Sequence, residues 1–296
     1  MLNNIKTVFS IKDLENFSGI KAHTIRIWEK RYGLLEPCRT EYNIRYYDDK
    51  NFIKLLNITL LNNNGLKISK IAELSDNDII LKVKEFATLK LVEEFAINSF
   101  KISMMKFDAT LFNDTFNKLL NRKSFREIFV DVFIPLLEHI GFLWQTGSIK
   151  PIHEHFISNL IVQKIHSNID INQSSMSNES DKVFVLYLPM GEIHELGLLY
   201  MYYELTLRNY KTIYLGQNIS LDHISQLKEL YSNINFISYF TVQPEDIQLY
   251  LQQVNESLLL DNSNEFWILG PKVIPELKVF GRIKYLKSIT ETLKYI

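Results

Sequence analysis

Four short apolar runs in residues 183–296 constrain this chain more than any other feature. They are VFVLYL (183–188), KTIYLG (211–216), NFISYF (235–240) and EFWILG (265–270). The first is a β-branched and aromatic run typical of a buried parallel strand, and the others read as further short apolar strands. Stretches with helical spacing separate them: about Ile193 to Arg208, the segment after Ser220, and the segment after Gln243. This rhythm predicts a doubly wound parallel α/β domain over 183–296. In such sheets ligands bind beyond the carboxyl ends of the strands. Those ends are Pro189–Gly197, Gly216–Asn218, Ser238–Val242 and Gly270–Pro271.

Residues 78–168 read as a helical bundle. FDATLFNDTFNKLLNRK spaces Leu111, Phe112, Phe116, Leu119 and Leu120 near a 3.6 period. A strongly apolar helix around 125–145 carries Pro135, which predicts a kink there. KPIHEHFISNLIVQKIHSNI reads as the next helix. The Ser/Asn-rich segment 169–182 reads as a linker.

The first 75 residues read differently again. Ser10 caps a short helix from Ile11 to about Asn16, and Gly19 interrupts it. A second helix, about Ala22 to Arg31, ends at Gly33 and places Ile25 and Trp28 on its buried side. Two short helices joined through a glycine-containing turn are the helix-turn-helix pattern. A hairpin or wing follows with Arg39, Arg45, Tyr46 and Tyr47, then a longer helix capped by Asp48 or Asp49. Residues 1–70 hold twelve Lys/Arg against seven acids, although the whole chain has a formal charge of −1. A local basic excess in a neutral chain points to a polyanion at that end.

The composition excludes some classes. Cys38 is the only cysteine, so no internal disulfide forms. No run of about 18 apolar residues occurs, and the first residues have no signal-like core. The expected location is cytoplasmic, with no membrane partner.

The string HTIRIWEKRYGLLEPCRT…IRYYDD, with LLNNNGLKISKIAEL after it, resembles MerR-type winged-helix DNA-binding domains. The WEKRYG form resembles the subgroup with a cobalamin (B12)-binding effector domain, which includes light- and cobalamin-responsive repressors of carotenoid genes. WQTGSIKPIHEH is similar to that subgroup's Trp, nine residues, Glu-His pattern at Trp144, Glu154 and His155. EIHELG resembles its D-x-H-x-x-G motif, and YLGQN its second-strand end. The resemblance runs nearly the whole chain in one order: winged helix-turn-helix (1–75), helical bundle (78–168), linker (169–182), Rossmann-like cobalamin-binding domain (183–296).

It implies two sites. For DNA the expected residues are Lys21, His23, Thr24 and Arg26 near the start of the second helix, with Arg39, Thr40, Arg45 and Tyr46 on the wing. The first group suits base edges and the second suits phosphates. For the cofactor, adenosylcobalamin or methylcobalamin, the expected residues are Trp144, Glu154, His155, Glu192, His194, Gly197, Ser238 and Gly270. His194 would be the lower cobalt ligand, held by Glu192 where the family has aspartate. Without the resemblance, His194 reads as a helix-start histidine bonded to Glu192 or a backbone carbonyl. His153 reads as a solvated helix-start residue.

The sequence departs from the family at Glu192, at Gly270–Pro271 where a Gly-Gly is usual, and at Gln145 where light-sensing members have a histidine. Bulky Tyr239 and Phe240 follow Ser238. The leading expectation is a transcriptional repressor, not an enzyme, in which cobalamin modulates oligomerisation and DNA affinity. It would act as a homodimer or higher homo-oligomer on a pseudo-palindromic double-stranded operator. The alternatives are a regulator whose effector domain is cofactor-free and serves dimerisation or protein contact, and, more remotely, a corrinoid carrier for methyl transfer.

Overall fold

The computed structural model describes residues 8–89, 92–173, 181–260, 263–273 and 281–296. The chain divides into two compact units, Met1–Ile161 and Val162–Ile296.

Capping sets the start of the first unit. The Ser10 hydroxyl accepts the Asp13 amide, and the Asp13 carboxylate accepts the Ser10 amide. This reciprocal cap fixes α1 (Ile11–Ser18). Gly19 takes φ +74 and closes the helix. Helix α2 (Ala22–Tyr32) buries Ile25 and Trp28, as their spacing predicts. A three-stranded antiparallel sheet flanks the pair: β1 (Val8–Phe9), β2 (Cys38–Arg39) and β3 (Arg45–Asp48), with β3 central. The hairpin was predicted; β1, two residues long, was too short to leave a pattern. Asp48 caps α3 (Asp49–Asn63), and α4 (Ile68–Ile71) follows. Phe9 stacks on Phe52 at 4.4 Å, and Phe17 meets both rings edge-on.

The bundle comprises α5 (Asp76–Leu89), α6 (Val92–Lys106), α7 (Ala109–Leu120), α8 (Phe125–Ile128), α9 (Ile134–Gln145) and α10 (Pro151–Asn172). The irregularity expected at Pro135 is a π-helical turn, Phe129–Phe133, just before it. Proline has no N–H for the preceding turn, so the ladder loosens there. Phe100, Phe112, Phe116 and Phe133 pack around this turn. Helix α10 runs on to Asn172. Residues 169–172, read from the sequence as linker, are therefore helical. The amides of Asn168 and Asn172 donate back to the carbonyls of Lys164 and Asn168, so these polar residues sustain the last turns. Of the rest of that expected linker, Gln173, Asp181 and Lys182 are neither helix nor strand, and 174–180 lies outside the described residues.

Within this unit the end of α1 is held by bundle side chains. Asn16 donates its amide to the Ser148 hydroxyl at 2.9 Å, in a buried contact. His139 Nε2 donates to the Asn16 carbonyl at 3.0 Å, and Lys101 Nζ to the Phe17 carbonyl at 3.4 Å. A helix leaves its last carbonyls unmet and carries partial negative charge there. Lys101 is buried, and burial lowers its pKa to about 8. Burial, then the Lys101 charge, lowers His139 to about 4.

The second unit is the expected α/β domain. Its strands are β4 (Val183–Pro189), β5 (Lys211–Ile219), β6 (Ile234–Tyr239), β7 (Glu265–Leu269) and β8 (Ile283–Tyr285). All neighbours are parallel, in the order β5-β4-β6-β7-β8. Strand β8 was not foreseen, being only three residues long with a lysine at its centre. Helix α11 (Leu196–Leu207) contacts β4, β5 and β6. Val183, Val185, Tyr187, Ile234, Phe236, Phe240, Phe266 and Ile268 form the core on one face of the sheet, with Ile224 of α12 (Leu221–Ser225) and Leu251 and Val254 of α13 (Ile247–Val254). The alternate residues, among them Phe184, Leu186, Ile237 and Trp267, are also buried. A short α14 (Ile289–Thr292) closes the fold.

Candidate functional site

Strand β4 ends at Pro189, and the chain turns at Gly191, φ +80. The Gly191 amide donates to Asn218 Oδ1 at 2.8 Å, which ties this turn to the end of β5. Glu192 follows with its side chain fully buried. Its Oε1 accepts the amides of Ile193 and His194, both at 3.0 Å, and His194 Nδ1 at 2.6 Å. Its Oε2 accepts three successive amides beyond β6: Thr241 at 3.0 Å, Val242 at 2.7 Å and Gln243 at 2.9 Å. Successive amides of this kind form a small anion-binding nest. Burial alone would raise the Glu192 pKa. The amides of Gln243, Val242 and His194, with the imidazole, outweigh it and hold the group at about 2.

That ionisation decides the histidine tautomer. A carboxylate only accepts, so Nδ1 carries the proton of the neutral ring and Nε2 keeps its lone pair. The His194 side chain is 47% exposed. It is thus an oriented imidazole at the carboxyl end of a central strand, with the buried acidic partner that metal-ligating histidines typically have.

The other expected residues of this unit lie at the same sheet edge. Ser238 is buried and donates its hydroxyl to the Tyr187 carbonyl at 2.8 Å. Gly270 takes φ +109, and a Cβ there would lie 2.3 Å from the Phe240 carbonyl oxygen. Gly197 is the second residue of α11, and a Cβ there would lie 2.5 Å from Cε2 of Tyr239. The donor chemistry of His194 and Glu192 fits a cobalt ligand. The face of Gly197 is already packed by an aromatic ring of the chain itself.

Trp144, Glu154 and His155 belong to the helical unit. Trp144 is 57% exposed near the end of α9. Glu154 accepts the Ser158 hydroxyl at 2.7 Å and faces His155 Nδ1 at 3.0 Å. His153 corrects the sequence reading. It is buried rather than solvated, stacks on Phe107 at 4.9 Å, and its Nδ1 accepts the Lys150 amide. The first turn of α10 points it inward, three residues before Phe156, whose ring also packs on Phe107.

In the helix-turn-helix, His23, Arg26, Arg39 and Thr40 are exposed and Thr24 partly so. Lys21 is exposed and pairs with Glu15 at 3.3 Å. Arg39 donates to Asn43 Oδ1 at 2.6 Å, and the Thr40 hydroxyl accepts the Ile44 amide, so both shape the wing turn. Arg45 Nε donates to Glu29 Oε1, and the buried Tyr47 hydroxyl donates to Glu29 Oε2, each at 3.0 Å. Burial and the Glu29 charge push the Tyr47 pKa well up. Tyr46 stands opposite Cys38 on the neighbouring strand.

Residues 9–78 match the MerR HTH family of regulatory proteins, and residues 96–166 match the B12 binding domain. The chain joins a MerR-type head to a B12-binding domain. Over 259 residues it is 24% identical to the HTH-type transcriptional repressor CarH of Myxococcus xanthus, covering 84% of this chain and 85% of that one. It is 25% identical to the repressor CarA of the same organism, over 70% and 67% of the two chains. The fold is similar to that of the monomethylamine corrinoid protein of Methanosarcina barkeri, with a TM-score of 0.51 at 11% identity over 66% of this chain and 94% of that one. This chain is therefore a DNA-binding regulator with a B12-type effector region. No helix among the described residues is long and apolar enough to cross a membrane.

Three features of this site are not legible in the sequence: the 241–243 amide nest, the Asn218 clasp and the Tyr239 ring on Gly197. The first two involve backbone groups, which carry no sequence signal. Tyr239 was visible as bulk after Ser238, but not its contact.

Proposed function

We propose that this protein is a repressor whose C-terminal unit holds a cobalamin through His194, and that loading changes its oligomeric state and its affinity for DNA. The observation that carries this reading is the Glu192–His194 pair. A fully buried, ionised carboxylate fixes Nδ1 and leaves Nε2 as a directed lone pair at the carboxyl end of β4. Cobalamin, when bound, would supply a cobalt centre, and His194, oriented by Glu192, would hold it. Glu192 orients the ring and keeps it in the ligating tautomer. Ser238, Gly197 and Gly270 shape the same strand ends. In the helical unit, the exposed indole of Trp144 and the Glu154–His155 pair are the proposed corrinoid-facing residues. Lys21, His23, Thr24 and Arg26 are the proposed base-reading residues. Arg39, Thr40, Arg45 and Tyr46 are proposed to meet phosphates. The proposed assembly is a dimer or higher oligomer on a pseudo-palindromic operator, in the cytoplasm.

The test is optical. The purified protein is mixed with adenosyl- or methylcobalamin, desalted, and its visible spectrum recorded. Retained corrin absorbance with bands altered by His194→Ala is expected. Loss of all corrin on desalting would falsify the reading. It would leave a cofactor-free effector domain, the reading that the Tyr239 ring over Gly197 favours.

A further inference from the structure

Tyr239 is the last residue of β6, and strand alternation puts its side chain with those of Asn235 and Ile237. Helix α11 lies against this part of the sheet. The ring lies against Gly197, in the first turn of that helix. A Cβ on Gly197 would stand 2.5 Å from Cε2 and 2.8 Å from both Cδ2 and Cζ, so ring and helix backbone touch with no space between. Gly197 is three residues after His194, and Tyr239 is two residues before the amides that grip Glu192. The Tyr239 ring therefore fills the contact between the first turn of α11 and the end of β6, close in sequence and in the site to His194.

Little else there can give way. The backbone after Tyr239 is held by Glu192, by Phe240 N–H donating to the Leu269 carbonyl, and by Lys272 N–H donating to the Phe240 carbonyl. Gly270 abuts the Phe240 backbone, so β7 cannot move closer. On the opposite side of β6, the Ser238 hydroxyl is engaged with Tyr187. A ligand substituent that comes between α11 and the end of β6 has to displace the Tyr239 side chain, because the backbone around it is tied.

Cobalamin carries such a substituent, a nucleotide tail that ends in a flat aromatic base. Corrinoids of the cobinamide class lack it. We propose that Tyr239 determines which corrinoid the chain accepts: its ring occupies the space over Gly197, beside His194, so tail-less corrinoids bind in preference to complete cobalamin. This rests on the reading of His194 as cobalt ligand. The ring and a tail base are similar in thickness and cannot share the space, and steric exclusion of a group this size is worth at least about tenfold in affinity.

The experiment is equilibrium dialysis of the full-length protein against aquocobinamide and aquocobalamin, for the unaltered chain, Tyr239→Ala and Tyr239→Leu. Leucine keeps apolar contact with Gly197 should alanine fail to fold, and thermal melts of each variant report folding. The unaltered chain is expected to favour cobinamide about tenfold or more. Both variants should shift the ratio about tenfold toward cobalamin, with cobinamide binding little changed. Equal binding of the two corrinoids by the unaltered chain, or a ratio that the variants leave unmoved, overturns the role of Tyr239 while His194 stands as ligand. Retention of neither corrinoid overturns the ligand reading, and this inference with it.

Discussion

The Glu192 carboxylate accepts the Val242 amide at 2.7 Å, from fifty residues away in the chain. One side chain thus joins the loop after β4 to the loop after β6 while its other oxygen orients His194. Site geometry and domain stability are coupled through this residue.

Replacing Glu192 by Gln leaves one oxygen to serve donors that now have two, and puts an amide donor against backbone N–H groups. A loss of about 2–4 kcal/mol is expected in urea denaturation. Glu192→Asp, one methylene shorter, should keep the negative charge but lose part of the nest. Its stability should fall between the other two.

The Glu192 pKa predicts an acid response. Its folded value, about 2, lies below the ordinary 4.5. A depressed carboxylate stabilises the fold fully above the ordinary value and loses that contribution as pH falls from about 4.5 toward 2. The contribution is about 3 kcal/mol at most. Stability measured across that window should fall less steeply in Glu192→Gln than in the unaltered protein.

Gly197→Ala places a methyl group 2.5 Å from the Tyr239 ring. The ring must rotate away, at a cost of about 1–3 kcal/mol. Tyr239→Ala in the same chain removes the obstacle. The thermal melt of the double variant should therefore lie above the additive expectation. Strict additivity would mean the two residues do not meet.

Lys101 is buried on a carbonyl, and its pKa falls to about 8 through burial. Because the unfolded chain binds this proton more tightly, stability should rise as pH increases from about 8 toward 10.5. Lys101→Met removes that slope. It should also raise stability by about 1–3 kcal/mol at pH 7, since a cation no longer has to be buried. His139, which shares this site, is uncharged throughout that range.

Arg26 and Arg45 should separate in their effects on DNA binding. Arg26 is exposed on α2, so Arg26→Ala should weaken operator binding without lowering the melting temperature. Arg45 also holds Glu29, which orients Tyr47, so Arg45→Ala should lower both. Gel shifts beside thermal melts distinguish the two.

Sequence alone determined the order of the domains, because hydrophobic period and capping are local. Ser10, Asp13 and Gly19 define α1 through local contacts, and the apolar runs at 183, 211, 235 and 265 all form strands, although the edge strand at 211 is only half-buried. It also placed His194 at a strand end beside an acid. Tertiary structure decided what those residues touch. Glu192 reaches three amides fifty residues on, His153 turns inward onto Phe107, Arg45 is drawn to Glu29, and Tyr239 fills the space over Gly197. Each is a contact between segments distant in sequence, and side-chain spacing along one segment cannot encode the position of another. Strands β1 and β8 were missed for a related reason. Two or three residues leave no period, and only pairing with a neighbour makes them strands.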